Sequence, residues 1–140
     1  MVRLGRRIAF DYGDVRIGVA ICDPDGILAT PIATLLSKSP NLKIEIAKLL
    51  DEYEPVKAYV GDPKQLNGTS GEAVAKVLAF TDFLTANFDL PITLVDERLS
   101  TVTAARNLRA SGVDAKGAKG LIDAAAAVAI LEQGLANEIR

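Results

Sequence analysis

The stretch Arg7–Asp23, RIAFDYGDVRIGVAICD, constrains the fold more than any other part of the chain. Two apolar runs, Ile8–Phe10 and Ile17–Cys22, flank Tyr12-Gly13-Asp14, whose glycine accepts backbone angles that suit a tight turn. This pattern predicts two buried strands joined as a hairpin. Asp11 ends the first run, so a rigid strand carries its carboxylate. Burying a carboxylate there is costly unless it is paired or binds a cation, although it could also cap the turn through backbone N–H groups.

The remaining pattern predicts a mixed sheet with helices on both faces. Strands are expected at Ile27–Leu35, Lys57–Gly61 and Ile92–Arg98, and helices at Leu42–Tyr53, Glu72–Asn87, Ser100–Arg109 and Leu121–Leu135. Val74, Val77, Leu78 and Thr81 are expected along one stripe of the second helix. Pro31 predicts that the third strand lies at an edge or contains a bulge. Ser111–Gly120, with three glycines and no periodicity, is predicted to be a mobile loop.

The order of these elements is β-β-β-α-β-α-β-α-α. It predicts an α/β fold with a five-stranded sheet, made of an antiparallel three-strand meander and two parallel strands. One domain is expected to span residues 1–140, a length that suffices for a hydrophobic core.

Composition excludes several kinds of chemistry. The chain has no histidine and one cysteine, Cys22, which argues against histidine general-base catalysis, an ordinary zinc site and a cysteine–histidine nucleophile. The net charge is −2, so nucleic acid would be bound by a local basic patch or through metal ions. The sequence shows no long apolar segment and no signal peptide. A soluble cytoplasmic protein without a membrane partner is therefore expected.

Three acidic residues occur where the apolar pattern predicts burial. Asp11 ends the first strand, Glu97 (or its neighbour Asp96) ends the fifth, and Asp123 lies at the start of an almost wholly apolar helix. Parallel strands gather their carboxyl ends at one edge, so the three could converge there. Three carboxylates repel one another unless a cation lies among them, and oxygen ligands suit Mg²⁺ or Mn²⁺. Two such ions can activate a water and stabilise the leaving oxygen of a phosphodiester.

Each acid also has a purely structural interpretation. Asp123 could only favour the dipole of its helix, and Glu97 could form a surface ion pair with Arg98 or Arg16. The loop Gly61–Gly71 has glycines and hydroxyls before a helix, which suits contact with phosphate. The residues predicted to bind nucleic acid are Arg16, Lys64, Asn67, Arg98, Arg106, Lys116 and Lys119.

Four motifs, DYGDVRIGVAICD, VGDPKQLNGTSGE, VDERLST and IDAAAAVAIL, resemble in order and spacing the YqgF family, also called RuvX. The resemblance implies a ribonuclease H-like fold and a metal-dependent acidic triad. On matching positions, the triad is Asp11, Glu97 and Asp123. Cys22 stands where a serine is common and Ser100 where a threonine is common. The segment before Asp123, often strongly basic in relatives, has only two lysines.

The resemblance favours a metal-dependent endonuclease that matures the end of pre-16S ribosomal RNA, a structured RNA. The same chemistry on four-way DNA junctions is the alternative, and it requires two active sites related by a two-fold axis. A monomer or a weak homodimer is expected. A non-catalytic nucleic-acid-binding module is a further possibility, which the presence of all three acids disfavours. An actin-like nucleotide-binding fragment is disfavoured by the short chain.

Overall fold

The computed structural model describes residues 5–63, 71–96 and 115–139, with side chains of the last segment described from 125 to 138. Five strands form one sheet in the order β3-β2-β1-β4-β5. They are β1 (Arg7–Tyr12), β2 (Arg16–Cys22), β3 (Ala29–Leu36), β4 (Lys57–Asp62) and β5 (Ile92–Asp96). β1, β2 and β3 pair antiparallel, whereas β4 runs parallel to both β1 and β5. The predicted meander with two parallel strands is confirmed.

Three described helices cover both faces of the sheet: α1 (Leu42–Tyr53), α2 (Gly71–Asn87) and α3 (Ala115–Ile139). Because the side chains of β1 alternate between the two faces of the sheet, they contribute to two separate hydrophobic clusters. Ile8 and Phe10 pack with α1 and α2, whereas Ala9 packs in a second cluster with α3. The second cluster also contains Tyr59 of β4 and Val95 of β5. Since side chains of a strand alternate between faces, this division assigns a face to every residue of the parallel strands.

Several predicted boundaries are confirmed. α1 spans Leu42–Tyr53 as predicted, and its apolar face packs on the sheet. Pro31 lies in the edge strand β3, and the β2–β3 register shifts between Val19 and Ala20, which face Ala33 and Pro31. β3 begins at Ala29 rather than at Ile27, because the Asp23 carboxylate accepts hydrogen bonds from the Ile27 and Leu28 amides and extends the turn.

Two predictions about helices were wrong. α3 begins at Ala115 rather than near Leu121, so residues 115–120 of the predicted loop Ser111–Gly120 are helical. Its glycines cost helix stability, but each added residue contributes one hydrogen bond to a helix that packing already nucleates. In α2, Leu78 is 45% exposed instead of lying on the core stripe, which contains Val77, Phe80 and Leu84.

Residues 97 and 98 of the predicted fifth strand, the predicted helix Ser100–Arg109 and residues 111–114 of the predicted loop lie outside the described residues.

Candidate active site at the carboxyl edge of the sheet

The carboxyl ends of the three parallel strands meet at one edge of the sheet, and each end carries an aspartate. Asp11 lies near the end of β1, Asp62 ends β4 and Asp96 ends β5. Asp62 and Asp96 are register partners, and Asp11 is half-buried. Ligands of open α/β sheets bind outside the carboxyl ends of the strands. This edge is therefore the candidate site.

The alternation of side chains separates these aspartates onto two faces. Ala9 belongs to the core beneath α3, so Asp11, two residues further along β1, lies on the α3 face. Val60 and Val95 belong to opposite cores. Asp62, two residues after Val60, and Asp96, next to Val95, therefore both lie on the α2 face. Asp96 is thus on the opposite face from Asp11.

α3 runs antiparallel to the parallel strands. Near its C-terminal end, the Glu138 carboxylate lies 3.2 Å from Arg7 Nε and 3.4 Å from Lys57 Nζ. Arg7 and Lys57 are the first residues of β1 and β4. The N-terminal half of α3 therefore extends toward the carboxyl edge. Asp123 precedes Glu138 by fifteen residues, about 22 Å along the helix axis.

The helical repeat assigns a face to position 123. Ala127, Ile130 and Gly134 follow it by four, seven and eleven residues, and these spacings share one face of a helix. Ala127 and Ile130 belong to the core against the sheet. A Cβ added to Gly134 would lie 2.7 Å from the Tyr59 ring, so this face is in close contact with β4. The backbone position of Asp123 thus lies on the stripe of α3 that faces the sheet.

The start of α3 also changes the interpretation of Asp123. The sequence pattern predicts this residue in the first turn of its helix, where a carboxylate favours the dipole. The helix begins eight residues earlier, at Ala115. Because the dipole effect falls off within the first turn, the purely structural interpretation of Asp123 loses its basis.

A cluster of charged side chains around the buried Arg7 holds α3 in place at the opposite edge of the sheet. Arg7 is 2% exposed and donates from Nη1 to the Gly5 carbonyl at 2.6 Å, while its Nε faces Glu138. Burial and the Glu138 carboxylate raise the pKa of Tyr59 above its usual range. Burial opposes ionisation of Glu138, but the nearby Tyr59 hydroxyl and the charges of Arg7 and Lys57 lower its pKa overall. Losing one of these partners would leave buried charge uncompensated.

The turn between β1 and β2 is held in a defined shape next to the site. The Gly13 amide donates to the Arg16 carbonyl at 2.9 Å. Lys76 of α2 lies 2.8 Å from Asp14 and 3.2 Å from Glu72. The hydrogen bond between Lys76 and Asp14 raises the pKa of Lys76 and lowers that of Asp14. A cavity of about 160 Å³ lies between this turn and α2.

The sequence pattern does not indicate a role for Lys76. The spacing of Glu72 and Lys76 predicts only a weak pair within one helix. The contact between Lys76 and Asp14 spans 62 residues, so no local pattern could have indicated it.

The structure describes only some of the predicted site residues. Asp11 is at the carboxyl edge, and Arg16 begins β2 opposite Leu36. For Lys116, Lys119 and Asp123 the helix backbone is described without their side chains. Among the described side chains, no group of three acidic, histidine or cysteine residues is close enough to bind a metal ion. The predicted site residues outside the described ranges are Lys64, Asn67, Glu97, Arg98 and Arg106.

The sheet order and the flanking helices are those of a ribonuclease H-like domain. The chain is similar to RuvC from Thermus thermophilus in complex with a Holliday junction substrate, with a TM-score of 0.59, 16% identity and 96% of each chain covered. A second Thermus thermophilus RuvC structure gives a TM-score of 0.58 and 15% identity. These similarities establish the class of fold.

Sequence comparison identifies the family within this class. The profile of RuvX, described as Holliday junction resolvase, matches residues 5–137. A Streptomyces coelicolor protein is 51% identical over 139 residues, covering 98% of this chain and 83% of the relative. A Rhodococcus opacus protein is 49% identical over 143 residues, covering 97% and 80%. Both are named "Putative pre-16S rRNA nuclease". The chain belongs to the RuvX family of ribonuclease H-like nucleases. In its described part, no helix is long and apolar enough to cross a membrane.

Proposed function

We propose that this protein is a metal-dependent endonuclease that cuts pre-16S ribosomal RNA, with Asp11, Glu97 and Asp123 as its metal-binding residues. One observation carries the proposal. Asp11 ends the central strand on the face covered by α3, and position 123 lies on the stripe of α3 that faces the sheet. The names of the relatives support ribosomal RNA as the substrate. Such a substrate implies a cytoplasmic site of action.

Strand alternation supports Glu97 rather than Asp96 as the third acid. Val95 lies in the core beneath α3, and Asp96 lies on the opposite face. A strand that continues by one residue would return Glu97 to the face of Asp11. The DER motif that contains Glu97 provides independent support from the family resemblance.

The residues available fit Mg²⁺ or Mn²⁺. The chain has no histidine, and Cys22 is buried, with its sulfur accepting a hydrogen bond from the Arg7 amide at the other end of β1. The donors left at the carboxyl edge are carboxylate oxygens, which these ions prefer. When bound, such ions supply an activated water and stabilise the negative charge that develops on phosphodiester oxygens.

The protein side chains contribute positioning and electrostatics. Asp11 lies in β1, which pairs with β2 on one side and with β4 on the other, so its backbone is held in a defined position. Arg16, at the same end of the sheet, attracts the phosphate backbone, whereas Lys76 neutralises Asp14 and Glu72, with which it is paired. A monomer is sufficient for RNA cleavage.

Four-way DNA junctions are the second candidate substrate. The description of the family profile and the fold shared with RuvC favour it. Symmetric junction cleavage requires a dimer. Sedimentation of the protein with and without a junction would detect one.

The test compares a pre-16S ribosomal RNA fragment with a four-way DNA junction, each with Mg²⁺ or Mn²⁺. Asp11→Asn preserves side-chain shape and removes one charge, so cleavage of the RNA should fall by ~100-fold or more. Asp96→Asn is the matched control, because it removes an aspartate at the same edge from the opposite face. It should retain activity within a few-fold.

Measurements of metal binding and of thermal stability distinguish a loss of catalysis from a loss of folding. Calorimetry should show weaker Mn²⁺ binding for Asp11→Asn and unchanged binding for Asp96→Asn. Without metal, the melting temperature of Asp11→Asn should equal or exceed that of the wild type, since a repelling charge is removed. Cleavage at the wild-type rate by Asp11→Asn would refute the assignment. An inactive variant that has unfolded would instead show that Asp11 caps the turn. Faster cleavage of the junction than of the RNA would favour the second substrate.

A further inference from the structure

An exposed apolar surface lies at the same edge of the sheet as Asp11. Val15 and Leu36 are 57% and 59% exposed, although large apolar side chains are usually buried. They border a cavity of about 380 Å³, whose lining residues are Asp14, Val15, Leu36, Lys38, Ser39 and Pro40. We refer to Val15, Leu36 and Pro40 as the aliphatic shelf.

Leu36 of the shelf is near Asp11 and on the same face of the sheet. Asp11 pairs with Gly18, and Gly18 pairs with Thr34 of β3. Leu36 is therefore two strands across and two residues along from Asp11, which corresponds to roughly 12 Å between Cα atoms. Since Leu35 packs in the core beneath α1 and α2, Leu36 lies on the α3 face with Asp11. This distance is about that of four stacked nucleotides.

Hydrogen bonds hold the walls of the cavity in place. The Ser37 hydroxyl donates to the Gly13 carbonyl, and the Ser37 amide donates to the Val15 carbonyl at 2.9 Å. The Ser39 amide donates to the Leu36 carbonyl at 3.1 Å. These bonds connect the β1–β2 turn to the segment after β3. A surface that is already ordered loses little conformational entropy when it binds a ligand.

The charges around the shelf favour an anionic partner. Lys38 lines the cavity, and Arg16 is the register partner of Leu36. Asp14 also lines the cavity, but its carboxylate is paired with Lys76 at 2.8 Å. Lys76 and Lys38 both lower the pKa of Asp14. Together with Arg16 they outnumber this carboxylate, so the net charge next to the apolar surface is positive. This pattern matches a nucleic-acid strand, which presents apolar base faces together with phosphates.

We propose that the aliphatic shelf binds an unpaired nucleobase of the substrate strand beside the cleavage site, while Lys38 and Arg16 contact the flanking phosphates. This inference rests on the proposed nuclease function and adds a substrate class: duplexes with a single-stranded segment next to the cut. Leucine and proline side chains insert between base steps in minor-groove-binding proteins, so both residue types can contact the face of a base. The cavity volume is in the range of small-ligand sites. The continuity of the shelf with the edge that carries Asp11 favours a nucleic acid over a protein as its occupant.

The test measures binding by the inactive Asp11→Asn protein, using fluorescence anisotropy. One probe is a blunt RNA duplex, and the other is the same duplex with a single-stranded extension. The extended probe should bind ~5–10-fold more tightly, which is the lower part of the range for a base stacked on an aromatic side chain, because the shelf is aliphatic. Val15→Ser with Leu36→Ser should abolish this preference. Ile27→Ser with Leu28→Ser is the matched control, because both residues are strongly exposed at the other end of the β2–β3 hairpin, and it should retain the preference.

The outcomes distinguish this inference from the proposed function. Equal binding of both probes, or a preference that survives the Val15 and Leu36 substitutions, would overturn the shelf alone. Wild-type cleavage by Asp11→Asn would overturn the assignment of Asp11 to the metal site, and no cleavage by the wild-type protein would overturn the nuclease function. Neither result would affect a measured preference for the extension. A folded protein that binds neither probe would overturn both.

Discussion

Replacing Gly134 by alanine tests whether the close approach of α3 to the sheet positions the active site. A Cβ at this position would lie 2.7–2.8 Å from three carbon atoms of the Tyr59 ring. Tyr59 is 1% exposed and packed among Ala127, Ile130 and Leu131, so the ring has little room to move. Ordinary van der Waals contact requires 3.4–4 Å. The helix must therefore withdraw from β4 by roughly 1 Å.

The cost has two opposing parts. Overpacking a filled core costs about 1–3 kcal/mol, whereas alanine gains about 1 kcal/mol over glycine in a helix. We expect a net loss of about 0–2 kcal/mol in the free energy of unfolding. For a chain of this length the unfolding entropy is ~0.3 kcal/mol/K, so the melting temperature should fall by at most about 7 °C.

The effect on cleavage should exceed the effect on stability. Position 123 lies on the same stripe of α3, eleven residues before Gly134. A displacement of ~1 Å at a catalytic group can lower the rate by about 100-fold. Gly134→Ala should therefore remain folded at 25 °C but cleave RNA ~10–100-fold more slowly.

The assays are thermal unfolding by circular dichroism and cleavage of the pre-16S fragment at 25 °C. Gly71→Ala is the matched control, because a Cβ there would meet no atom of the described residues within 4 Å. It should leave both measurements unchanged. A Gly134→Ala protein that melts at or above the wild-type temperature and cleaves at the wild-type rate would refute the argument.

Three further predictions concern charged residues. Glu54 is the only described non-glycine residue with a positive φ (49°), and it follows α1 at a position where glycine is favoured. Glu54→Gly should therefore stabilise the protein by about 0.5–1 kcal/mol in urea unfolding. A lower urea midpoint would contradict this. The pKa of Glu138 lies below its usual 4.5, so its contribution to stability is complete above that pH and is lost as the pH falls through the lowered value. Glu138→Gln, which leaves buried Arg7 uncompensated, should destabilise the protein at pH 7 and flatten its stability profile below pH 4.5, and an unchanged profile would refute the role of Glu138. Lys76→Gln should weaken RNA binding by exposing the charge of Asp14, and adding Asp14→Asn should restore it; a failure to restore binding would show that Lys76 itself contacts phosphate.

Local patterns predicted most of the fold. The hairpin around Gly13, the helix Leu42–Tyr53 and the irregularity at Pro31 follow from turn chemistry, 3.6-residue periodicity and the missing proline amide, which act between neighbouring residues. The same logic failed for Ala115–Gly120, since glycine and lysine obscured a helix stabilised by packing further along the chain. It also failed for Leu78, because the angle at which α2 packs on the sheet decides which apolar residues are buried.

For the candidate site too, some features follow from the sequence and others only from the tertiary structure. The sequence alone determined that Asp11 ends an apolar strand, that oxygen donors are the available metal ligands, and that the motifs are those of the RuvX family. Only the tertiary structure placed Asp96 on the opposite face from Asp11, oriented α3 through the contact of Glu138 with Arg7, and paired Lys76 with Asp14. The physical reason is the separation along the chain between the residues that interact. Side-chain alternation and turn preferences depend on adjacent residues, whereas strand order and helix packing depend on contacts between residues far apart in the chain.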